Sequence, residues 1–316
     1  NPSSQWLVGH LLDTTANASK SDLAIDALES ATDATTVWYR GKARFNRGQE
    51  LWAAGKPKDA TKVLDAGVKD FELAKQKNPQ FAQSSDQWIG LALGSKGTIL
   101  LSDNQFEAAQ EALLAALKAS PDQLEADMGG GGTIKRSILV LADRFRQLDL
   151  GRTELIYRAF REVAPEDSTF ANNHGLFARD HGVNLSRRGK AAEARELFEQ
   201  SYKSYTKASA IEPDNVRLLN DRALILVHYL KRDWDVAKSV LQEAIQKGVA
   251  QLKDDPPTDA TDLRNHDREG GSVAEAVAQD RGDRSGLCIE LFRLGKHAID
   301  PTLARCVPTV DPVEDV

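Results

Sequence analysis

One helix-hairpin pattern recurs along this chain at fixed spacing, and it constrains the fold more than any other feature. Gly48, Leu51, Ala60 and Leu64 are followed by Gly67; Gly97, Leu100, Ala109 and Leu113 by Ala116; and Gly182, Leu185, Ala194 and Phe198 by Ser201. A small residue in a first helix and an Ala early in a second let two antiparallel helices approach closely. The larger apolar residues then fill the seam. Self-similarity of this kind means stacked units, each unable to bury its apolar face alone.

A longer repeat contains the shorter one. Gly48 and Gly182, Gly55 and Gly189, and Pro79 and Pro213 are each 134 residues apart, so the chain reads as a duplicated block. Each copy opens with an extended hairpin, whose closing proline falls 31 residues after the glycine; from Gly97 to Pro121 the interval is 24. Seven extra residues add roughly 10 Å of helix. The second helices of the extended hairpins are therefore expected to protrude, with Phe71 and Tyr205, and Ala74 and Ala208, at matching places on the extensions.

These residues resemble the tetratricopeptide repeat. The middle copy fits best: Pro121 follows Ala109 at the family's interval, and Phe106 stands just before the Ala. The resemblance implies an all-α fold, a right-handed α-solenoid of antiparallel helix hairpins. It also implies a non-enzymatic scaffold whose first helices line a concave groove. Helical phase from the small residue places Lys42, Phe45, Gln49 and Trp52 on that face in the first hairpin. Leu91, Thr98 and Leu101 follow in the second, Arg179, Ser186 and Arg187 in the fourth, and Arg222 and Tyr229 in the fifth. The expected binding set is Lys42, Gln49, Trp52, Arg179, Arg187, Arg222 and Tyr229. A basic, aromatic groove on an acidic protein suits a protein or peptide partner carrying carboxylates. The Lys and Asn clamp by which some relatives hold chaperone tails is not reproduced, since Phe45 and Gln49 stand where it would begin.

The periodicity sets the organisation. Residues 1–33 read as a leading helix pair, 5–17 and 20–32, with Ser21 capping the second. Residues 34–166 form the first block, with helices at 35–54, 57–77, 82–103 and 105–119. The run Met128–Gly132 interrupts it as a flexible connection. A third hairpin follows, with stripes at Ile138, Leu139, Leu141, Ala142, Phe145 and Leu148 and at Leu155, Ile156, Ala159, Phe160 and Val163. Gly151 is expected to turn between them. Residues 167–250 form the second block, with helices at 169–188, 191–211, 215–231 and 234–248. There Ile225 replaces the small residue, so the two helices must separate or shift. Residues 251–271 read as an exposed loop, 272–307 as a terminal helix pair and 308–316 as a tail.

Composition narrows the function classes. With 41 Lys and Arg against 47 Asp and Glu and a net charge of −6, the chain lacks the basic footprint of a nucleic-acid binder. No apolar run approaches the ~18 residues of a membrane helix. The glycine run before Thr133-Ile134-Lys135-Arg136 lacks the spacing of a phosphate-binding loop. His174 and His181, near Asp180, are two turns apart on one helix, too far to share a metal ion without a third element. They read as capping or surface residues. No cofactor is expected. Paired acids such as Glu193 with Glu196, and Asp254 with Asp255, allow one alternative, an α/α-type cavity enzyme of the glycoside hydrolase kind. Such sites are rich in sugar-stacking aromatics, which are only 6 % here. Cys288 and Cys306 can pair in an oxidising compartment or remain two buried thiols. The chain begins at Asn1 without a Met, as expected of a processed product. A removed signal peptide and a trimmed domain both account for that, with an exported or periplasmic location placed ahead of the cytoplasm.

Overall fold

The computed structural model describes residues 18–128, 132–146 and 148–254. The expectations for residues 5–17, for the loop beyond residue 254, for the terminal pair with Cys288 and Cys306, and for the tail lie outside the described residues. The described chain holds eleven α-helices: α1 (Ala18–Leu28), α2 (Ala34–Ala53), α3 (Pro57–Lys77), α4 (Ala82–Ser102), α5 (Phe106–Ala119), α6 (Ile134–Arg146), α7 (Leu150–Val163), α8 (Ser168–Arg187), α9 (Ala191–Ile211), α10 (Val216–Leu224) and α11 (Trp234–Asp254). Among the described residues there is no strand, and the one β-type pairing is an isolated bridge between Asp127 and Thr133. The fold is all-α and built from tetratricopeptide-like hairpins. It divides between Glu166 and Asp167 into two compact units.

The first unit shows how the pattern makes a hairpin. Asp33 caps α2 by accepting from the Thr36 amide at 3.0 Å. Pro57 opens α3, where its missing N–H costs nothing. Between them Gly55 takes the left-handed conformation (φ 71°), which lets the Lys56 amide donate to Leu51 O at 2.8 Å and close the last turn. Asn104 (φ 58°) makes the same turn between α4 and α5, and Gly189 (φ 78°) between α8 and α9.

The seams are as tight as the spacing requires. A Cβ on Gly48 would stand 2.6 Å from Leu64 Cγ, on Gly97 2.6 Å from Leu113 Cγ, and on Gly182 2.7 Å from Phe198 Cε1. Each would also approach the carbonyl of the facing Ala60, Ala109 or Ala194. A second notch lies two turns earlier in each first helix. Gly41 receives the Phe71 ring, Gly90 approaches Ser120 Cβ, and Gly175 receives the Tyr205 ring.

That second notch corrects the expectation that the extensions protrude. First and second helices of the extended hairpins are nearly equal in length, 20 and 21 residues, so they pair along their whole course. Phe71 and Tyr205 are buried, as are Ala74 and Ala208. A buried ion pair reinforces the first hairpin. Arg40 reaches Asp70 at 2.7 Å, Arg44 reaches the same carboxylate at 2.7 Å, and Arg40 also donates to Leu28 O and Glu29 O, satisfying the end of α1. In the second copy the same two positions are His174 and Ser204, hydrogen-bonded at 2.7 Å. His174 is thus a core residue, neither cap nor surface.

Four local expectations are also corrected. Helix α1 already includes Ser21, so Ser21 is not its cap; its hydroxyl donates to Glu50 Oε1 at 2.6 Å and ties α1 to α2. Gly151 lies inside α7, and the preceding turn ends at Asp149, which caps by accepting from the Arg152 amide at 2.9 Å. The side chains of Leu148 and Leu155 are 84 % and 48 % exposed, whereas Ile138, Leu141, Ile156 and Phe160 are fully buried. The N-terminal end of the glycine run is pinned, too. Met128 is buried in the notch at Gly94, and its amide donates to Gly132 O at 3.0 Å.

The second unit starts at Asp167, which caps α8 through the Phe170 amide. Helices α8 and α9 repeat the extended hairpin. Beyond Leu224 the backbone widens into a π-helical stretch, Ile225–Leu230, ending in left-handed Lys231 (φ 53°). The widening begins at Ile225, the residue standing where a small one was required, and Ile225 is fully buried there. Helix α11 then covers it with Ala237, Val240 and Ala244. It runs to Asp254, so the first four residues of the expected loop, 251–254, are helical.

Candidate functional site

In the first unit the expected groove residues are engaged within the fold. Lys42 Nζ stands 5.0 Å from the Trp88 ring centroid, 5.3 Å from Trp38 and 6.0 Å from Tyr39. Gln49 spends its amide donors on Ser95 Oγ at 2.8 Å and Met128 O at 2.9 Å. Trp52 is half-buried against the Phe45, Leu64 and Ile99 cluster. Phe45 and Leu101 are buried in the core, and the Thr98 hydroxyl bonds Ser137.

The second unit differs. Arg179, on α8, donates through Nε and a terminal nitrogen to Asp180 at 2.9 and 2.8 Å. Burial opposes its charge, but Tyr205 and Asp180 outweigh that and hold its pKa above the ordinary value. Arg222, on α10, is half-buried over the Tyr202 ring at 5.9 Å, and its Nε has no hydrogen-bond partner. Tyr229 packs on Phe198 with centroids 4.8 Å apart, and burial raises its phenol, against Arg179. Arg187 is exposed at the end of α8.

Tyr205, expected only on a protruding extension, and Asp221, which was not singled out, join Arg179 electrostatically. Tyr205 is 1 % exposed, yet its hydroxyl has no hydrogen-bond partner. Burial drives its pKa far up, and Asp221 adds to that. Asp221, on α10, has its carboxyl pushed up by burial, opposed by Arg179 and Arg217. Arg179, Arg217, the Tyr205 phenol and the Asp221 carboxyl thus lie within electrostatic reach of one another.

The duplication supplies a control for this chemistry. Helices α4 and α10 also start 134 residues apart, so Phe45, Phe71, Gln87 and Trp88 occupy the places of Arg179, Tyr205, Asp221 and Arg222. In the first copy three of these four seats are filled by rings, the fourth being Gln87: Phe71 stacks on Trp88 at 6.0 Å, and Phe45 meets Trp88 edge-on at 5.3 Å. The same packing problem therefore has an apolar solution within this chain. Arg179 and Arg222 stand where the first copy has Phe45 and Trp88, and covering their charge costs stability. The 134-residue offset that pairs Tyr205 with Phe71 also pairs Asp221 with Gln87, the sequence signal that would have found Asp221.

The remaining candidates are placed differently. Glu193 and Glu196 lie on an exposed face of α9, where Glu193 pairs with Lys190 at 3.1 Å and Glu196 accepts from Gln200. A recess of about 560 Å³ lies beside Glu107, Asp149, Arg152 and Leu155, but Arg152 is already paired with Glu107 at 2.7 Å. Among the described residues no three His, Cys, Asp or Glu are grouped to hold a metal ion. No helix there is long and apolar enough to cross a membrane.

Comparison with known proteins yields structural likeness alone. No family model and no curated relative matches the chain. Among solved structures, it is similar to the C-terminal part of a tetratricopeptide repeat-containing protein from Cytophaga hutchinsonii. That match has 15 % identity over 95 % of this chain and 97 % of that one, at TM-score 0.39. It is also similar to YrrB, described as a tetratricopeptide protein with an unusual peptide-binding site, at 13 % identity over 80 % and 99 %, TM-score 0.35. A third is a thermophilic tetratricopeptide protein of Thermus thermophilus, at 18 % identity over 74 % and 98 %, TM-score 0.28. These superpositions are loose, and the fold assignment rests on the hairpins themselves.

Proposed function

We propose that this chain is a non-enzymatic interaction scaffold, and that the first-helix face of its second unit binds an acidic segment of a protein partner. Arg179, Arg187 and Arg222 supply charge-assisted hydrogen bonds, and Tyr229 supplies apolar contact. One observation carries the reading: the seats filled by Phe45, Phe71 and Trp88 in the first copy hold Arg179, Tyr205 and Arg222 in the second. Half-covered arginines where the other copy has rings support a surface that receives a ligand's charge.

Fluorescence anisotropy with a labelled hexaglutamate peptide tests this. Arg179 and Arg222 are both largely covered, so changing both to Ala is expected to weaken binding by about 2–5 kcal/mol. A hexalysine peptide should not bind. Equal affinity of wild type and double variant for hexaglutamate would overturn the assignment.

A further inference from the structure

We infer that Trp38, Tyr39 and Trp88 form a cage for a quaternary ammonium group, and that Lys42 is the resident ammonium such a ligand displaces. The site lies in the first unit and takes a cation, so it is separate from the acidic-ligand face of the second.

Trp38 and Tyr39 precede Lys42 by four and three positions on α2, so both lie beside it on the helix surface. Trp88 joins them from α4. Trp38 stands nearly perpendicular to both other rings, at 87° to Tyr39 and 89° to Trp88, with centroids 5.2 and 6.3 Å apart. Rings so arranged are walls rather than a stack, and Lys42 Nζ lies 5.0 to 6.0 Å from all three centroids. Ring faces carry the negative side of the π quadrupole, which attracts the ammonium. Packing fixes the walls. Phe45 and Phe71 meet Trp88 at 5.3 and 6.0 Å, and Phe81 meets Trp38 at 6.0 Å. Trp38 and Tyr39 also rest on the core around Leu28 and Val37. Yet Trp38, Tyr39, Lys42 and Trp88 all keep part of their surface in solvent, so a ligand has access. In the second copy their places are taken by Asn172, Asn173, Leu176 and Arg222, and the α8–α9 hairpin forms without a ring among them. The cage belongs to the first copy and not to the hairpin pattern.

The occupant's chemistry follows from competition with Lys42. A ligand bearing a primary ammonium offers the rings nothing that Lys42 does not, and Lys42 is tethered beside them at high effective concentration. A primary ammonium is also strongly hydrated. A quaternary ammonium has no N–H groups to withdraw from water, spreads its charge over methyl groups, and buries those methyls against the rings. It therefore gains more from the cage than Lys42 does. Lys42 swings out on its four-carbon stem, and its charge returns to water. No covalent bond changes.

Calorimetric titration of the full chain with choline chloride at constant ionic strength tests this. The neutral control is 3,3-dimethylbutan-1-ol, which has the same shape with carbon in place of the charged nitrogen. Wild type should bind choline at least about tenfold more tightly than the alcohol. Lys42→Ala should bind choline about 2- to 30-fold more tightly than wild type, because no resident cation has to leave. Trp88→Leu and Tyr39→Leu should each weaken binding. Trp88 also packs on the Phe45 and Ile99 core, so Tyr39→Leu is the ring variant that decides if Trp88→Leu does not fold. A peptide carrying one trimethyl-lysine reports the source of the group: binding tighter than choline assigns a peptide-borne ammonium, and weaker binding a free small cation. Equal affinity for choline and the alcohol, unchanged affinity in Lys42→Ala or in Tyr39→Leu, or no choline binding by wild type and Lys42→Ala alike overturns the inference.

Discussion

Replacing Gly97 by Ala adds a single methyl group, and the structure dictates where it goes. The new Cβ would stand 2.6 Å from Leu113 Cγ and 2.8 Å from Leu113 Cδ2, with Ala109 O at 3.3 Å. Carbon atoms settle at 3.5–4.0 Å, so Leu113 or the helix must move by about 1 Å. Leu113 is fully buried, as is Ala109, and has no space to withdraw. Overpacking of this kind costs about 1–3 kcal/mol. Against it stands the helix propensity of Ala over Gly, about 1 kcal/mol. The net expectation is destabilisation, read as a lowered midpoint in urea. Gly248→Ala is the matched control: it also lies inside a helix, but its nearest neighbour would be Val216 Cγ1 at 3.7 Å. There the propensity term acts alone and should stabilise by roughly 0.5–1 kcal/mol. A double-mutant cycle sharpens the test. Leu113→Ala alone should cost about 2–5 kcal/mol. Combined with Gly97→Ala the cost should fall short of the sum by about 1–3 kcal/mol, because the added methyl enters the vacated space. A Gly97→Ala protein as stable as wild type, with Gly248→Ala gaining as expected, would refute the seam argument.

Asp70→Asn should destabilise the first unit by about 3–5 kcal/mol, because Arg40 and Arg44 lose a shared buried counter-charge; denaturant unfolding with a loss below about 1 kcal/mol would contradict this. Gly189→Ala should cost about 1–2 kcal/mol through backbone strain alone, since no atom lies within 4 Å of the added methyl, while Asn104→Gly should gain a few tenths; thermal melts decide both. Asp33→Ala should cost about 1 kcal/mol at pH 7 by removing the cap of α2. Burial opposes ionisation of Asp33, but the Thr36 hydroxyl and amide outweigh it and lower its pKa, so the cap's contribution is full above the ordinary carboxylate range. It is lost as pH falls through the depressed folded value, so a wild-type advantage that persists unchanged at pH 2.5 would count against the cap.

The hairpins were legible because close helix approach needs small residues at fixed spacing, and Gly48, Gly97 and Gly182 write that need directly. Gly41, Gly90 and Gly175 obey the same rule two turns earlier, yet were passed over, which is why the extended helices were expected to project. The departure at Ile225 was readable as a misfit; that the backbone would answer it with a π-helical stretch was not, because several local adjustments relieve the same crowding. Helical phase put Arg179, Arg222 and Tyr229 on one face. It could not show that Lys42 and Gln49 are taken up internally, since their partners Trp88, Ser95 and Met128 lie 46 to 79 positions away. Tyr205 was set against Phe71 but expected on a projecting extension rather than in the core, and Asp221 was missed because an acid on a helix looks ordinary until set against Gln87.

The link from Gln49 to Met128 bears on how the first unit folds. In a stack of hairpins each neighbour pair closes short loops, so unfolding can begin at an end and run inward one hairpin at a time. Gln49 instead grips a carbonyl 79 residues downstream, past the whole second hairpin, while also holding Ser95 within it. The first hairpin, the second and the segment leading to the third are thereby fastened at one point. Fraying from the third hairpin should halt at Met128, and the amides of α2 and α4 should exchange with solvent in one shared opening, slower than those of α6 and α7. Forming that contact also closes a loop of 79 positions, which places it late on the folding route, after the local seams have formed.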